Sequence, residues 1–392
     1  MVADHGLDPP APQPALSSAH RAAAGLVCLP EMTPARLRAL LDHFGTPEAA
    51  HGAVRAGGSA SGLVCLERPL DDGDRRALAA RWADATRVGP AAEPQLSATL
   101  ARRGTRVYID GTPDYPISDA IPDRPAVLLA EGDGAEVLDR PCVGIVGTRS
   151  ATLHGLHDAR ELGAHLARRG ITVVSGLALG IDGAAHDGAI EAGGGVVGVV
   201  ATGLDVVYPR RHRALYARVR TGRGGLLISE TAFGAGPLRW RFPVRNRIIA
   251  ALSDVLVVVE ATISGGARIT AGFALDYDRP VLAVPGSRRN PSAAGCNALL
   301  ADGAHPLLEP DDVLVALGMT PGSRRGWGSR AAGATRPTGD AAALLRACGG
   351  EPATPDQLAS RTGLAPGAVA LAVRTLERDQ LVAVTDGMVW PR

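Results

Sequence analysis

Residues 142–176 read CVGIVGTRSATLHGLHDARELGAHLARRGITVVSG, and this stretch decides the fold. It opens with a short apolar run, continues with an amphipathic helical pattern and closes with a second apolar run. Continuous apolar runs of this length are typical of strands that are buried on both faces of a parallel sheet. The stretch therefore predicts a strand, a covering helix and a second strand parallel to the first.

The same alternation continues through residues 105–317. The apolar runs there are CVGIV, ITVVS, VVGVVA, GLLIS, DVLVVVEA and PVLAVPG. Helical patterns follow nearly all of them. We predict an α/β fold with a doubly wound, mostly parallel Rossmann-like sheet over this region.

The segments before residue 105 have a different character. Residues 1–20 contain prolines and acidic residues but no apolar signal-peptide core, which predicts a disordered leader. Residues 21–100 carry helical patterns, with Thr33-Pro34 placed to begin a helix and Gly45 placed to end it. We expect a small helical domain of the SAM or helix-hairpin-helix kind.

The segments after residue 317 predict a linker and a further domain. Residues 318–338 are rich in Gly, Ser, Arg and Pro, a composition typical of flexible linkers. Residues 339–392 show three helical patterns and then a hairpin pattern that turns at Asp386-Gly387. This order predicts a winged helix whose recognition helix spans residues 365–379.

Composition excludes several classes of protein. The 392 residues carry a formal net charge of +1, and all 41 basic side chains are arginine. Without lysine, a Walker A loop and Schiff-base chemistry are excluded. The five cysteines form no CxxC pair, which indicates reduced thiols in a cytoplasmic protein without a zinc site. No apolar run is long enough to span a membrane, and we expect no cofactor.

The predicted carboxyl ends of the strands share small, hydroxyl-rich loops. These loops are GTRS at 147–150, SGLA at 175–178, TGL at 202–204, EATISGG at 260–266 and PGSRR at 285–289. Backbone N–H groups in such loops bind anions, and Arg149 and Arg288 add positive charge. The pattern predicts a phosphate ligand. The GIVGTR stretch does not match GxGxxG, which disfavours a dinucleotide.

Residues 239–252, RWRFPVRNRIIAAL, concentrate cations next to a predicted strand. The pattern predicts extended chain up to Phe242 and a helix from Pro243, with Arg245, Asn246 and Arg247 in its first turn. Cations there oppose the helix dipole, so we expect them to meet a bound anion. The alternative is an ion pair with Glu230 or Glu260, which suits Arg245 best.

Asp182 and His186 lie four residues apart on one predicted helical face. Such a pair could bind a metal or act as a base. The alternative, which we favour, is that the aspartate caps a helix and fixes a loop.

Several long strings carry a resemblance to a known family. SGLALGIDGAAH at 175–186, FPVRNRII at 242–249 and RPVLAVPGS at 279–287 occur in order and with natural spacing. The chain resembles the DNA-processing protein A (DprA/Smf) family over about residues 105–310. The resemblance implies a homodimeric, non-catalytic protein that binds single-stranded DNA and helps load the recombinase RecA, in natural transformation or recombination.

The resemblance also assigns site residues. It implies phosphate-binding roles for Gly147, Arg149, Ser175, Gly176, Arg245, Asn246 and Arg247. Glu260 and Thr270 keep the family spacing, but the two serines usual between them are replaced around Gly265-Gly266-Ala267. Backbone contacts at Gly266 remain available, and Arg268 could compensate for a missing lysine. Because aromatic residues make up only 3% of the chain, we expect phosphate contacts to outweigh base stacking.

Two other functions remain open. A nucleotide-processing hydrolase on a similar core would need a P-G-G-x-G-T-x-x-E motif, and the nearest stretch, SGGARITAGF, lacks the Pro and the Glu. A transcription regulator would rest on the winged helix alone. Its recognition helix has only Arg374 and Arg378, late in the helix and beside Glu377 and Asp379, which favours protein contact over duplex DNA.

Overall fold

The computed structural model describes residues 16–57, 72–88, 91–319, 337–348, 353–378, 381–385 and 387–391. The chain divides into two compact units, residues 1–322 and 323–392. Most of the predicted leader and linker, and Asp386 of the predicted turn, lie outside the described residues. In the described part of the chain, no helix combines the length and apolar character that crossing a bilayer requires.

The first unit is built on one nine-stranded sheet. Its strands are β1 Arg106–Ile109, β2 Val127–Glu131, β3 Cys142–Val146, β4 Thr172–Ser175, β5 Val196–Val199, β6 Gly225–Ser229, β7 Val255–Val258, β8 Val281–Ala283 and β9 His305–Pro306. Their order across the sheet is β1-β2-β6-β5-β4-β3-β7-β8-β9. The strands from β3 to β9 run parallel, and only β1 and β2 are antiparallel to their neighbours. The predicted mostly parallel sheet is confirmed.

Five helices precede the sheet. They are α1 Ser18–Val27, α2 Pro34–Phe44, α3 Pro47–Ala56, α4 Asp72–Arg87 and α5 Glu93–Arg103. Helix α2 begins and ends where the sequence predicts: the Thr33 hydroxyl accepts from the Arg36 N–H at 3.2 Å, and Gly45 ends the helix with φ 74°. Helix α1 begins inside the segment 1–20 that we expected to be disordered.

These helices share the hydrophobic core of the sheet. Leu26, Leu40 and Leu100 belong to the same buried cluster as Val107 and Leu129 of β1 and β2. Each is less than 4% exposed, so burying them removes a large apolar area from water. The first compact unit therefore has no division near residues 100–105, where we predicted a domain boundary.

Seven further helices cover the sheet on both faces. They are α6 Leu153–Arg168, α7 Ile181–Glu191, α8 Arg213–Thr221, α9 Arg241–Ala251, α10 Gly266–Asp276, α11 Ala294–Ala301 and α12 Asp312–Ala316. Apolar residues of α6, α7 and α8 join one buried cluster, and those of α9, α10 and α11 join the other. Strand β3 contributes Val143 and Ile145 to the first cluster and Val146 to the second, because successive side chains point to opposite faces.

The chain reverses its direction across the sheet at β3. It steps from β3 through β4 and β5 to β6, and then crosses back to β7 on the other side of β3. Loops leaving β3 and β7 diverge at such a switch point, and ligands of open α/β sheets bind in the resulting crevice.

The second unit contains three helices and a hairpin. Its elements are α13 Gly339–Cys348, α14 Pro355–Thr362, α15 Pro366–Arg378, β10 Val382–Thr385 and β11 Met388–Pro391. The two strands pair antiparallel, and Leu344, Leu358, Leu376 and Val389 are fully buried in a core of their own. The predicted winged helix is confirmed, with α15 at the recognition-helix position.

We expect the first unit to fold without the second, because each has its own core. A chain ending at Met319 should unfold cooperatively and at the temperature of the corresponding transition in the full-length chain. Circular dichroism during heating measures both. A non-cooperative or strongly lowered transition would show that the winged helix is needed to hold the sheet together.

Candidate nucleic-acid interface

A crevice of about 400 Å³ lies at the switch point. Its walls are the loop after β3, the loop after β7 and the first turns of α9 and α10. Six of the eleven predicted site residues line it: Gly147, Arg149, Arg245, Asn246, Gly266 and Thr270. The structure thus brings together residues that lie as far as 123 positions apart in the sequence (270 − 147).

Backbone hydrogen bonds fix the loop after β3. The Thr148 N–H donates to the Glu260 carbonyl at 2.7 Å, and the Ile181 N–H donates to the Thr148 carbonyl at 3.3 Å. Gly180 approaches this loop with φ 79°, and a Cβ there would collide with the Thr148 carbonyl oxygen. Only glycine fits that position, so the first wall of the crevice is rigid.

Asp182 ties the loop after β4 to α7. It is 5% exposed, and its carboxylate accepts from the Gly176 N–H at 3.1 Å. Burial raises the pKa of Asp182, while the Arg245 guanidinium and backbone N–H groups, including those of Ala178 and Gly147, act in the opposite direction. These contacts support the interpretation that Asp182 fixes loops. Burial lowers the pKa of its neighbour His186 to about 3, so that imidazole is neutral at pH 7.

Arg245 holds the carboxyl ends of β4 and β5. Its guanidinium donates to the Gly176 carbonyl at 2.8 Å and to the Val199 carbonyl, and its Nε donates to the Asn246 side chain at 3.2 Å. A Cβ on Gly176 would lie 2.6 Å from the guanidinium, so any residue other than glycine at this position would displace the Arg245 side chain. Arg245 thus bonds backbone carbonyls instead of Glu230 or Glu260, and its charge lies at the floor of the crevice.

Arg247 forms the ion pair that we had considered for Arg245. Its guanidinium lies 2.5 Å from the Glu230 carboxylate, and the two side chains are 9% and 11% exposed. Burial raises the pKa of Glu230, and Arg247 partly offsets this rise. Arg247 does not line the crevice.

The predicted start of helix α9 was wrong by two residues. The helix begins at Arg241, so Arg245, Asn246 and Arg247 lie in its second turn and not its first. Pro243 is the third helical residue, where the helix does not require an N–H donor. Proline therefore did not mark the boundary, and the extended stretch we expected ends before Arg241.

Aromatic side chains surround the mouth of the crevice. The Arg149 guanidinium lies 5.2 Å from the centre of the Phe242 ring, which lies 5.5 Å from the ring of Tyr208. Tyr208 is 39% exposed, and only Trp240, which lines a neighbouring pocket, is a more exposed Trp, Tyr or Phe in the described chain. We did not predict a role for these residues, because the low aromatic content of the chain argued against base stacking. The alternation of Arg and aromatic residues at 239–242 was the available signal.

The loop after β7 leads into the N-terminus of α10. Gly265 precedes this helix and supplies no capping side chain, so the first N–H groups of α10 have no side-chain cap. The Asn246 amide donates to the Gly266 carbonyl at 3.3 Å and joins α9 to this wall. The hydroxyls that the resemblance led us to expect are absent, but the backbone donors remain.

Glu260 at the start of the same loop is committed elsewhere. Its carboxylate accepts from the Thr152 N–H at 2.9 Å and from the Thr152 hydroxyl at 2.5 Å, and so stabilises the N-terminus of α6.

Five predicted site residues do not line the crevice: Ser175, Gly176, Arg247, Arg268 and Arg288. Ser175 is buried and donates to the Ile145 carbonyl at 2.5 Å. Arg268 donates to the Ile263 carbonyl at 3.1 Å and lies 3.5 Å from Asp302. Arg288 is exposed in the loop after β8.

Comparison with known families identifies the chain. A family model described as DNA recombination-mediator protein A matches residues 106–318. The chain belongs to this family, DprA/Smf. A second model, described as the DprA winged helix domain, matches residues 329–388.

Individual DprA/Smf proteins are similar over different lengths. Protein Smf of Synechocystis is 41% identical over 213 residues, which span 53% of this chain and 53% of that protein. DNA processing protein DprA of Bacillus subtilis is 37% identical over 225 residues, or 57% of this chain and 75% of that protein. The X-ray structure of DprA from Streptococcus pneumoniae has a TM-score of 0.59 and 26% identity, and the match covers 75% of this chain and 95% of that one.

We expect Arg247 to stabilise the fold. Arg247→Ala should cost about 3 kcal/mol of unfolding free energy, because it leaves the buried Glu230 carboxylate without its cation. The loss should shrink as the pH falls, since a protonated Glu230 needs no cation. Denaturant titration at several pH values measures both effects.

Arg268→Ala provides the matched control for this variant. Its ion pair with Asp302 is exposed and should be worth at most about 1 kcal/mol. Equal losses in the two variants would contradict the structural role assigned to Arg247.

Proposed function

We propose that this protein binds single-stranded DNA at the switch-point crevice, protects it and helps load the RecA recombinase, in natural transformation or recombination. One observation carries the proposal: fixed positive charge and exposed aromatic rings converge at one crevice. The proposal places the protein in the cytoplasm, where DNA and recombinase meet. It acts by binding and requires no catalytic step.

The crevice suits phosphate groups. Helices α9 and α10 both begin there without a capping side chain, and helix N-termini attract anions. Arg149 adds an exposed guanidinium at the rim, and Arg245 adds a buried one at the floor. Since these charges are held in place before any ligand arrives, little ordering is required when a phosphate binds.

The rings at the rim favour a single strand over a duplex. Unpaired bases expose their faces and stack on aromatic side chains, each stack being worth about 1–3 kcal/mol. Phe242 and Tyr208 supply such rings next to Arg149. Stacking does not read the identity of a base, so we propose binding with little sequence preference.

The groups that a hydrolase would use are committed to the fold. The Glu260 carboxylate stabilises the start of α6, Asp182 is buried against backbone N–H groups, and His186 is buried and neutral. These contacts support binding as the role of the site, in preference to the alternative of a nucleotide-processing hydrolase.

We also propose a homodimer through the first unit. Strand β8 lies between β7 and β9, so it offers no free edge. Strand β9 forms one edge of the sheet, but it has two residues, one of them a proline, so it offers few backbone groups for pairing. Leu308 and Val315 beside it are 54% and 52% exposed. These two exposed apolar side chains support self-association at this edge.

DNA binding tests the function directly. By fluorescence anisotropy, the protein should bind single-stranded oligonucleotides more tightly than duplexes of equal length. Arg149→Ala should weaken binding equally for all sequences and flatten the slope of log affinity against log salt by about 0.7 for each phosphate that the variant no longer binds. Tyr208→Ala should lose about 1–3 kcal/mol of binding free energy and leave the slope unchanged.

Arg168→Ala is the matched control for Arg149→Ala. Arg168 is exposed at the end of α6, next to the amino ends of the strands and opposite the crevice. The Arg168→Ala variant should bind DNA with the affinity of the unchanged chain, and so should the chain ending at Met319. If Arg149→Ala and Tyr208→Ala keep full affinity and slope, the crevice is not the DNA site.

Sedimentation equilibrium tests the dimer. At about tens of micromolar, a range suited to a weak interface, the protein should sediment as a dimer. Leu308→Asp with Val315→Asp should give a folded monomer, because two charges would be buried without partners. A dimer that persists in this variant would place the contact elsewhere on the surface.

A further inference from the structure

The arginines of a long basic segment next to the crevice have no role in the site described above. Residues 206–229 contain six arginines and one histidine but no aspartate or glutamate. They include a 3-10 helix, Arg210–His212, followed directly by α8. In a chain with a net charge of +1, this is a strong local excess of positive charge.

Most of this charge is exposed and uncompensated. Arg218 pairs with Asp187 at 2.6 Å. The other arginines are exposed, and none has an ion pair within the described residues: Arg210, Arg211, Arg213, Arg220 and Arg223. Like charges this close repel one another, so the fold gains nothing from concentrating them.

The acidic residues that flank the segment in sequence are bonded to other groups. Asp205 accepts from the Gly234 N–H at 2.8 Å and 2.9 Å, one distance for each carboxylate oxygen. Glu230 pairs with Arg247. The arginine segment therefore offers its charge to a ligand.

The segment begins at the rim of the crevice. Tyr208, whose ring faces Phe242 and through it Arg149, is separated from Arg210 by a single proline. The Tyr216 hydroxyl donates to the Tyr208 carbonyl at 2.7 Å, and His212 Nδ1 lies 3.1 Å from the Leu177 carbonyl. The first contact joins α8 to the residues before the arginine turn, and the second anchors the turn to the loop after β4, so its position relative to the crevice is fixed.

Helix α8 carries the charge away from the rim. Arg213 and Arg220 are seven residues apart and lie on the same helical face, about 10 Å from one another along the axis. The guanidinium groups thus continue in a line from the aromatic rim across the surface.

We propose that Arg210, Arg211, Arg213 and Arg220 form a track that binds the sugar-phosphate backbone of a DNA strand as it leaves the crevice. The proposal rests on the proposed single-strand binding at the crevice and adds a second, purely electrostatic part to it. Planar guanidinium groups bind phosphate in a bidentate manner, and arginine is the basic residue this chain uses. Continuity with the aromatic rim favours DNA over an acidic protein as the occupant.

The test compares a short and a long strand. The probes are oligothymidylates of about 6 nucleotides, short enough to occupy the crevice alone, and of about 30 nucleotides, long enough to extend beyond it. Arg210→Ala with Arg211→Ala removes the positive charges of the turn, and Arg213→Ala with Arg220→Ala removes those of the helical face. Arg140→Ala with Arg168→Ala is the matched control, because both arginines are exposed at the amino ends of the strands.

We expect both track variants to bind the short strand like the unchanged protein. With the long strand their affinity should fall at least tenfold, and their salt slope should decrease by about 0.7 for each phosphate that they no longer bind. The control should match the unchanged protein with both strands. Circular dichroism confirms folding, and Arg210→Gln with Arg211→Gln repeats the test with long polar side chains retained.

Two results would contradict the proposed track. In the first, the track variants keep the affinity and salt slope of the unchanged protein for the long strand. In the second, the variants lose only binding to polyglutamate, which would assign the surface to an acidic protein. If the unchanged protein binds neither strand, the proposed function itself is wrong. If the short strand binds normally and the track variants have no effect on the long strand, only the track is wrong.

Discussion

The architecture of the site depends on Gly176, which two charged side chains hold from opposite faces of the sheet. Asp182 on α7 accepts from its N–H, and Arg245 on α9 donates to its carbonyl. A buried charge is costly unless it is hydrogen-bonded, and each of these is satisfied by the backbone of the strand ends. The crevice can therefore be rigid although every wall of it is a loop or a helix end.

Most of the fold could be predicted from the sequence. The apolar runs such as CVGIV and ITVVS predicted buried parallel strands, and Thr33-Pro34 and Gly45 marked the ends of α2 correctly. Periodicity and capping are local properties, so one sequence is enough to read them. The shared core of the N-terminal helices and the sheet was not predictable in this way, because it depends on contacts between distant segments.

The partners of individual charges were harder to predict than the loops that carry them. Sequence spacing brought Arg149, Asn246 and Gly266 to one edge, and the structure places all three in the crevice. Sequence spacing could not show that Arg247 forms an ion pair with Glu230 whereas Arg245 hydrogen-bonds backbone carbonyls, since residues two apart point to different sides of a helix. Nor could composition reveal that Tyr208 and Phe242, two of few aromatic residues, lie together at the rim beside Arg149.

The all-arginine surface gives the molecule a charge state that is difficult to alter. A guanidinium stays protonated over the whole range of pH in which proteins are folded, whereas an amine does not. Lysine acetylation, a common way to neutralise a nucleic-acid-binding surface, has no side chain to act on in this sequence. Under the proposed function, salt concentration and competition from other polyanions would release a bound strand, and both act on the whole surface at once.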